Sequence, residues 1–184
     1  MDYELMAGRP ASNEGRAEKE LRVYDFLDAL GISYWRTDHP DAEAHTMEDC
    51  ARIDAVLQAA VCKNLFLANR QHTSFYLLML PGEKPFRTRE LSAQIGSSRL
   101  SFGTPEEMEE MTGCAPGSAS VLGLMNDAEG QVQLLVDREL LGEEFIGCHP
   151  CVNTSSLKIR TRDVFGPILA AAGHRMLVVD LAGK

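Results

Sequence analysis

Two apolar runs close together constrain the fold more than anything else in the chain. Val61 to Ala68 is apolar except for Lys63-Asn64, and Ser74 to Leu80 is a second run, apolar after Ser74 until Pro81-Gly82 closes it. Runs of this length, rich in Leu, Phe and Val and bounded by turn formers, read as strands. Gln71 to Thr73 between them reads as a hairpin connection. Two hairpin-linked central strands require further strands and helices to cover them.

The rest of the chain supplies both. Leu21, Tyr24, Leu27 and Leu30 recur every three residues, with Val23 and Phe26 widening the stripe, so a helix is predicted from Ala17 to Leu30 with Gly31 as its stop. Ile32 to Arg36 reads as a strand and His39-Pro40-Asp41 as a turn. Thr46 caps a short helix to Ala55, and Thr88 to Ile95 forms another. Thr104-Pro105-Glu106-Glu107 opens a further helix, with a cap, a first-turn proline and a Glu three residues after the cap, and Gly113 ends it. Val132–Val136, Phe145–Cys148, Ser156–Arg160 and Met176–Leu181 are strand candidates, and Thr161 to Ala172 is helical despite Pro167. Strands and helices lack the alternation of a doubly wound sheet. The expected class is α+β: one domain over 16–184, with a mixed, curved, barrel-like sheet, helices outside, and a polar lead-in at 1–15.

The balance of charge limits the partners. The 18 Lys+Arg and 27 Asp+Glu give −9, so a protein gripping nucleic acid mainly by overall charge is excluded and any such contact is local. Lys63 with Arg70, and Lys84 with Arg87, Arg89 and Arg99, are the two basic areas. The longest apolar run, Phe75 to Leu80, is too short to span a bilayer. The first fifteen residues carry Asp2, Glu4 and Glu14 and no apolar h-region, so a cytoplasmic setting is expected, with the five cysteines reduced.

Three segments carry candidate chemistry. Lys63 interrupts an apolar strand; it is either the outward residue of an alternation or an ammonium pointing into a cleft to anchor an anion. The loop Thr112–Ser120, with Gly113, Pro116, Gly117 and Ser118, is either an ordinary turn or a set of backbone N–H groups that a ligand approaches closely. Cys148-His149-Pro150-Cys151 is a C-x-x-C, but the residues after it look like loop and strand, and a thiol oxidoreductase needs a helix there. No second pair of cysteines completes a zinc site, so no metal is expected, and His149, Asn153 and Thr154 read instead as hydrogen-bonding groups of a polar loop. Serine-hydrolase, P-loop, dinucleotide and H-E-x-x-H signatures are absent.

These segments, with Val-Cys-Lys-Asn-Leu-Phe-Leu (61–67), Phe-Tyr-Leu-Leu-Met-Leu-Pro-Gly (75–82), Ala-Pro-Gly-Ser (115–118) and Cys-His-Pro-Cys-Val-Asn-Thr-Ser-Ser-Leu (148–157), resemble the YbaK/prolyl-tRNA-synthetase-associated domain family. Within that family of aminoacyl-tRNA editing deacylases, the free-standing Ala-tRNA(Pro) deacylases are the most similar branch. The resemblance implies hydrolysis of a wrong aminoacyl ester at the tRNA 3′ end, without a cofactor. It implies Lys63 and His149 as catalytic residues, and Thr46, Asn64, Gly113, Pro116, Gly117, Ser118, Asn153 and Thr154 at the substrate. Backbone N–H groups around Gly117 and Ser118 would face the ester carbonyl, and Leu65, Phe66 and Met79 would wall a pocket that excludes proline. The implied partners are the acceptor end of tRNA(Pro) with its aminoacyl-adenosine, and prolyl-tRNA synthetase, but neither DNA nor membrane. The alternatives are a deacylase for Cys-tRNA(Pro) or another small amino acid, a thiol-disulfide enzyme using Cys148 and Cys151, and a non-catalytic tRNA- or nucleotide-binding module.

Overall fold

The computed structural model describes residues 2–40 and 46–183, and it forms two sheets rather than one. The two apolar runs are strands β3 (Cys62–Ala68) and β4 (Phe75–Pro81), paired antiparallel from Cys62↔Pro81 to Ala68↔Phe75. Asn69 makes the turn. Its Oδ1 accepts from the N–H groups of Thr73 (2.8 Å) and Ser74 (3.1 Å), and its Nδ2 donates to Thr73 Oγ1 (2.9 Å). Beyond β4 lie β6 (Val132–Asp137) and β9 (Met176–Val179), both parallel to their neighbours, and β5 (Ser101–Phe102) flanks β3. The order of this mixed sheet is β5-β3-β4-β6-β9.

Both faces of that sheet are covered, which explains why its strands read as continuous apolar runs instead of alternating. Leu77, Met79, Leu134 and Val136 face the larger core. Leu78, Leu80 and Leu135 face a second core closed by Leu91 of helix α3 (Thr88–Ile95) and by Leu100, Val179 and Leu181. The larger core also takes Val23, Tyr24 and Leu27 of α1 (Glu18–Ala29). Its far wall is the antiparallel sheet β1-β2-β8-β7, made of β1 (Met6–Ala7), β2 (Tyr34–Asp38), β8 (Ser155–Arg160) and β7 (Phe145–Cys148).

The α+β class stands, but the barrel-like closure does not. The two sheets meet at one seam, where Ala60 bridges Ile146, Ala60 N–H donates to Phe145 O (2.9 Å) and Gly147 N–H donates to Ala60 O (3.1 Å). The predicted helices also stand. Helix α2 (Met47–Leu57) carries a capping box between Thr46 and Asp49, and α4 (Pro105–Thr112) carries one between Thr104 and Glu107. Between α5 (Thr161–Asp163) and α6 (Leu169–Ala172) the backbone widens into a π turn, Val164–Ile168, that holds Pro167. Asp41 of the expected turn lies outside the described residues. The polar lead-in contains β1, a strand the composition conceals.

One ion pair fastens the second core. Lys84 Nζ reaches Asp137 Oδ2 and Glu139 Oε1, each at 2.8 Å, and donates to Leu181 O at 2.7 Å. Asp137 is buried, and it also accepts from Glu139 N–H at 3.0 Å. Removing one partner of a buried pair leaves the other charge uncompensated, at a cost of about 3 kcal/mol. Asp137→Ala is therefore expected to lower the unfolding free energy by about that amount in urea titrations. Unchanged stability would mean that the pair is solvated and contributes nothing.

Candidate functional site

A cavity of about 450 Å³ opens beside the seam between the sheets. That volume lies within the roughly 300–1,000 Å³ typical of small-ligand sites. Helix α2 supplies Cys50, Ile53, Asp54 and Leu57; β3 supplies Cys62 and Asn64; and Gly147, Cys148, His149, Asn153 and Ser156 come from β7, β8 and the loop between them. A smaller cavity of about 220 Å³, walled by Leu65, Phe66, Met108 and Pro116 among others, shares Asn64 and Gly117 with the first.

Gly147 and Gly117 let these walls come together. A Cβ on Gly147 would meet Leu57 Cδ2 at 2.9 Å, so the absence of a side chain lets Leu57 at the end of α2 rest on β7 without shifting. Gly117 has φ +87° and stands beside Asn153, where an added Cβ would lie 3.7 Å from Nδ2.

His149 has a defined tautomer. Its Nδ1 is 2.9 Å from Ser155 O, and a carbonyl only accepts, so Nδ1 carries the proton and Nε2 holds the lone pair. Burial lowers the His149 pKa, outweighing the raising effect of that hydrogen bond. The ring of His39 stands edge-on to it, with centroids 6.2 Å apart, and His39 Nε2 contacts Ser156 Oγ at 2.8 Å. Asn64 Oδ1 is buried and has no hydrogen-bond partner among the described residues. An orphan acceptor at the junction of two cavities is suited to a ligand's hydroxyl or amino group. Burial raises the Asp54 pKa, and it pushes the Cys62 thiol up to about 12 and Cys148 higher still. Both thiols therefore keep their protons at neutral pH and are poor nucleophiles.

The residues expected from the sequence divide into two groups. Asn64, Gly117, His149 and Asn153 line the larger cavity, and Pro116 lines the smaller one. The others stand outside the lining. Lys63 is one residue from Asn64 on a strand, so the two side chains leave opposite faces, and Lys63 Nζ donates to Lys84 O at 2.7 Å. Ser118 is buried, and both its N–H (3.0 Å) and its Oγ (2.8 Å) are directed to Ala115 O, so the expected free N–H donor is occupied. Gly113 caps α4 at φ +70°, Thr46 caps α2, and Thr154 O accepts from His39 N–H at 2.9 Å. Met79, expected as a pocket wall, is wholly buried in the core, whereas Leu65 and Phe66 do line the smaller cavity. Lys84, expected in a basic surface area, is committed to its carboxylates. After Cys148 the loop 149–154 leads into β8 without a helix, so the C-x-x-C lacks the helix a redox motif requires. His39, Asp54 and Ser156 were missed, because single polar residues carry no spacing signal.

Residues 41–165 match the model of the aminoacyl-tRNA editing domain. The prolyl-tRNA editing protein ProX of Acetoanaerobium sticklandii is 26% identical over 84% of this chain and 93% of its own length. The prolyl-tRNA synthetase associated domain-containing protein 1 of Mus musculus is 29% identical over 92% of this chain and 98% of its own. A crystal structure described as that of a candidate trans-editing enzyme for prolyl tRNA synthetase superposes with a TM-score of 0.66 at 19% identity, covering 90% of this chain and 99% of the other. The fold is thus that of the superposed structure, and the chain belongs to the aminoacyl-tRNA editing domain family. It is an aminoacyl-tRNA deacylase, as the resemblance in the sequence implies.

Because burial lowers the His149 pKa, the ring stays neutral to lower pH than an ordinary histidine, whose value is 6.5. A base that acts through Nε2 works above its pKa and fails below it. The acid limb of kcat/KM is therefore expected below pH 6.5 and absent from a His149→Asn variant, as read from a pH–rate profile. An acid limb retained in the variant would assign it to another group.

Proposed function

We propose that the protein is a trans-editing deacylase that removes alanine from mischarged tRNA(Pro) in the cytoplasm, using water as the nucleophile. The observation that carries the reading is the pair of acceptors in one cavity, the Nε2 lone pair of His149 and the orphan Oδ1 of Asn64, with the thiols of Cys62 and Cys148 held protonated by burial. An aminoacyl ester is activated, so its hydrolysis needs a held ester, a placed water and a stabilised oxyanion, not a protein nucleophile. In this reading His149 takes the proton of the water. Asn64 holds a ribose hydroxyl or the amino group, and Asp54 faces the substrate's ammonium across the cavity. Gly117 brings backbone against the ester carbonyl, and Asn153 fixes the ribose side.

The supporting likenesses are those to the prolyl-tRNA editing protein and to the synthetase-associated domain proteins, which make tRNA(Pro) the substrate and prolyl-tRNA synthetase a partner in this reading. Alanine is the expected error of a proline-selecting enzyme, because a smaller side chain fits a larger pocket and loses only roughly 1–3 kcal/mol of contact. A second, apolar pocket corrects this by admitting the methyl group and excluding the ring by overlap. Leu65, Phe66 and Pro116 at the smaller cavity are its proposed walls. Deacylation rates for Ala-, Ser-, Cys- and Pro-charged tRNA(Pro) under one condition test this. Alanine is expected to be fastest, serine slower by a modest factor and proline spared. Equal rates for alanine and proline would sink the steric sieve, and a preference for cysteine would move the protein to another branch of the family.

Lys63 is proposed as the anchor for a phosphate of the terminal nucleotide. Its ammonium rests on a neutral carbonyl and forms no ion pair with a described residue, so a four-carbon stem can transfer it to an anion at the rim. Lys63→Ala is expected to lower kcat/KM at least tenfold with an unchanged melting temperature, and Lys63→Arg is expected to restore little. A folded Lys63→Ala protein working at the parental rate would remove Lys63 from the site.

A further inference from the structure

The face of β8 that enters the cavity does not end there. Ser156, which lines the cavity, is followed on the same face by Lys158 and Arg160, at steps of roughly 7 Å. Cross-strand neighbours place two aromatic rings among them. Trp35 of β2 pairs with Lys158, and Phe145 of β7 pairs with Arg160. Lys158 Nζ lies 4.3 Å from the centroid of Phe145 and 5.9 Å from that of Trp35, and Arg160 Cζ lies 5.3 Å from the Trp35 centroid. The two rings meet edge to face at 5.8 Å and 86°. All four side chains are half-buried. Glu143 and Glu144 are exposed on the turn into β7, yet neither forms an ion pair with Lys158 or Arg160. These cations differ from Arg9, Arg16 and Lys84, whose charges are already spent on carboxylates.

We propose that this face is a stacking platform for the unpaired 3′ strand of an RNA whose last nucleotide enters the cavity. Aromatic rings with interleaved cations bind single strands by base stacking and phosphate contact, without reading sequence. The cations rest on ring faces, so moving them onto phosphates frees those faces for bases. An acidic chain with −9 must concentrate its RNA contacts locally, and this patch is continuous with the cavity wall through Ser156 and Gly147. The direction of the strand follows from the chemistry: an ester at a 3′ end requires the nucleotides before it to leave the cavity along a surface. The inference rests on the deacylase reading for what occupies the cavity, but binding to the platform is measurable without hydrolysis.

The test uses an uncharged acceptor-stem minihelix ending in unpaired CCA, titrated by fluorescence anisotropy at several salt concentrations against the parent and Lys158→Gln, Arg160→Gln. Glutamine keeps the side-chain stems, and thermal melts confirm the fold. The double variant is expected to bind at least tenfold more weakly, with a salt slope shallower by about 1.4, the value for two single-strand phosphate contacts. Trp35→Leu is expected to weaken binding with the slope unchanged. On charged substrate the double variant should raise KM with little change in kcat, and hydrolysis of alanyl-adenosine, which ends at the cavity, should change less than twofold. Equal minihelix affinity and slope in parent and double variant would overturn the platform, as would a parent that does not bind the minihelix. Loss of binding to purified prolyl-tRNA synthetase with RNA binding intact would overturn it in favour of a protein interface. A parent that hydrolyses neither charged tRNA nor alanyl-adenosine would sink the deacylase reading separately, and the anisotropy comparison would still decide the platform.

Discussion

The enclosure of β3 and β4 on both faces governs the rest of the molecule. A strand with a core on each side has no place for a charge, so polarity is confined to where the covering stops. On β3 that place is the N-terminal end, before β5 begins its pairing at Leu67. Lys63 and Asn64 stand there, one on each face, and the cavity forms on the side where Asn64 lies. The site thus occupies the edge of the core, where an apolar strand comes out beside the other sheet.

A polar network holds the opposite wall in position. Arg16 grips Asp38 with two nitrogens, at 2.8 and 3.0 Å, and reaches Glu20 at 2.9 Å. Asp38 also takes the hydroxyl of Ser155 at 2.6 Å, and the carbonyl of the same Ser155 orients His149. Burial alone would raise the Asp38 pKa, but Arg16, Ser155 and Arg36 outweigh it and hold the carboxyl below its usual range. The group is partly solvated, so its contribution to stability is modest. Its value is positional: α1, β2 and the start of β8 are tied to one carboxylate two hydrogen bonds from the His149 ring.

Much of this was legible in the sequence. The hairpin, the capped helices and the helix ends at Gly31 and Gly113 follow from local rules that the fold does not override. What escaped has physical causes. The two-residue strands β1 and β5 are shorter than any periodicity, and they exist because a neighbouring strand offers an edge. The period of two correctly makes Lys63 awkward, but one strand cannot reveal which of its faces meets the cavity, and that choice separates Asn64 from Lys63. Met79 is adjacent in register to Asn64, yet it points into a core that only the second sheet creates. Trp35, Phe145, Lys158 and Arg160 come from three strands, so no linear motif contains their cluster. The family resemblance pointed to loops that line the two cavities, whereas the individual contacts depend on how the strands pair.

The parallel pairing of β4 with β6 and of β6 with β9 also has a kinetic consequence. The hairpin β3–β4 closes locally, but β6 is some fifty residues downstream and β9 is some forty more. Contacts so distant in sequence are slow to form, because loop closure must precede the reward. Until β6 arrives, β4 presents a long, apolar and unpaired edge, the feature most prone to capture another chain. Lys84 bears on the same step, since its two carboxylates and the carbonyl of Leu181 lie on β6, the turn that follows it and the chain after β9. A cation left waiting beside the hairpin would therefore favour the late strands once they approach, making the ion pair a latch on the last stage of assembly.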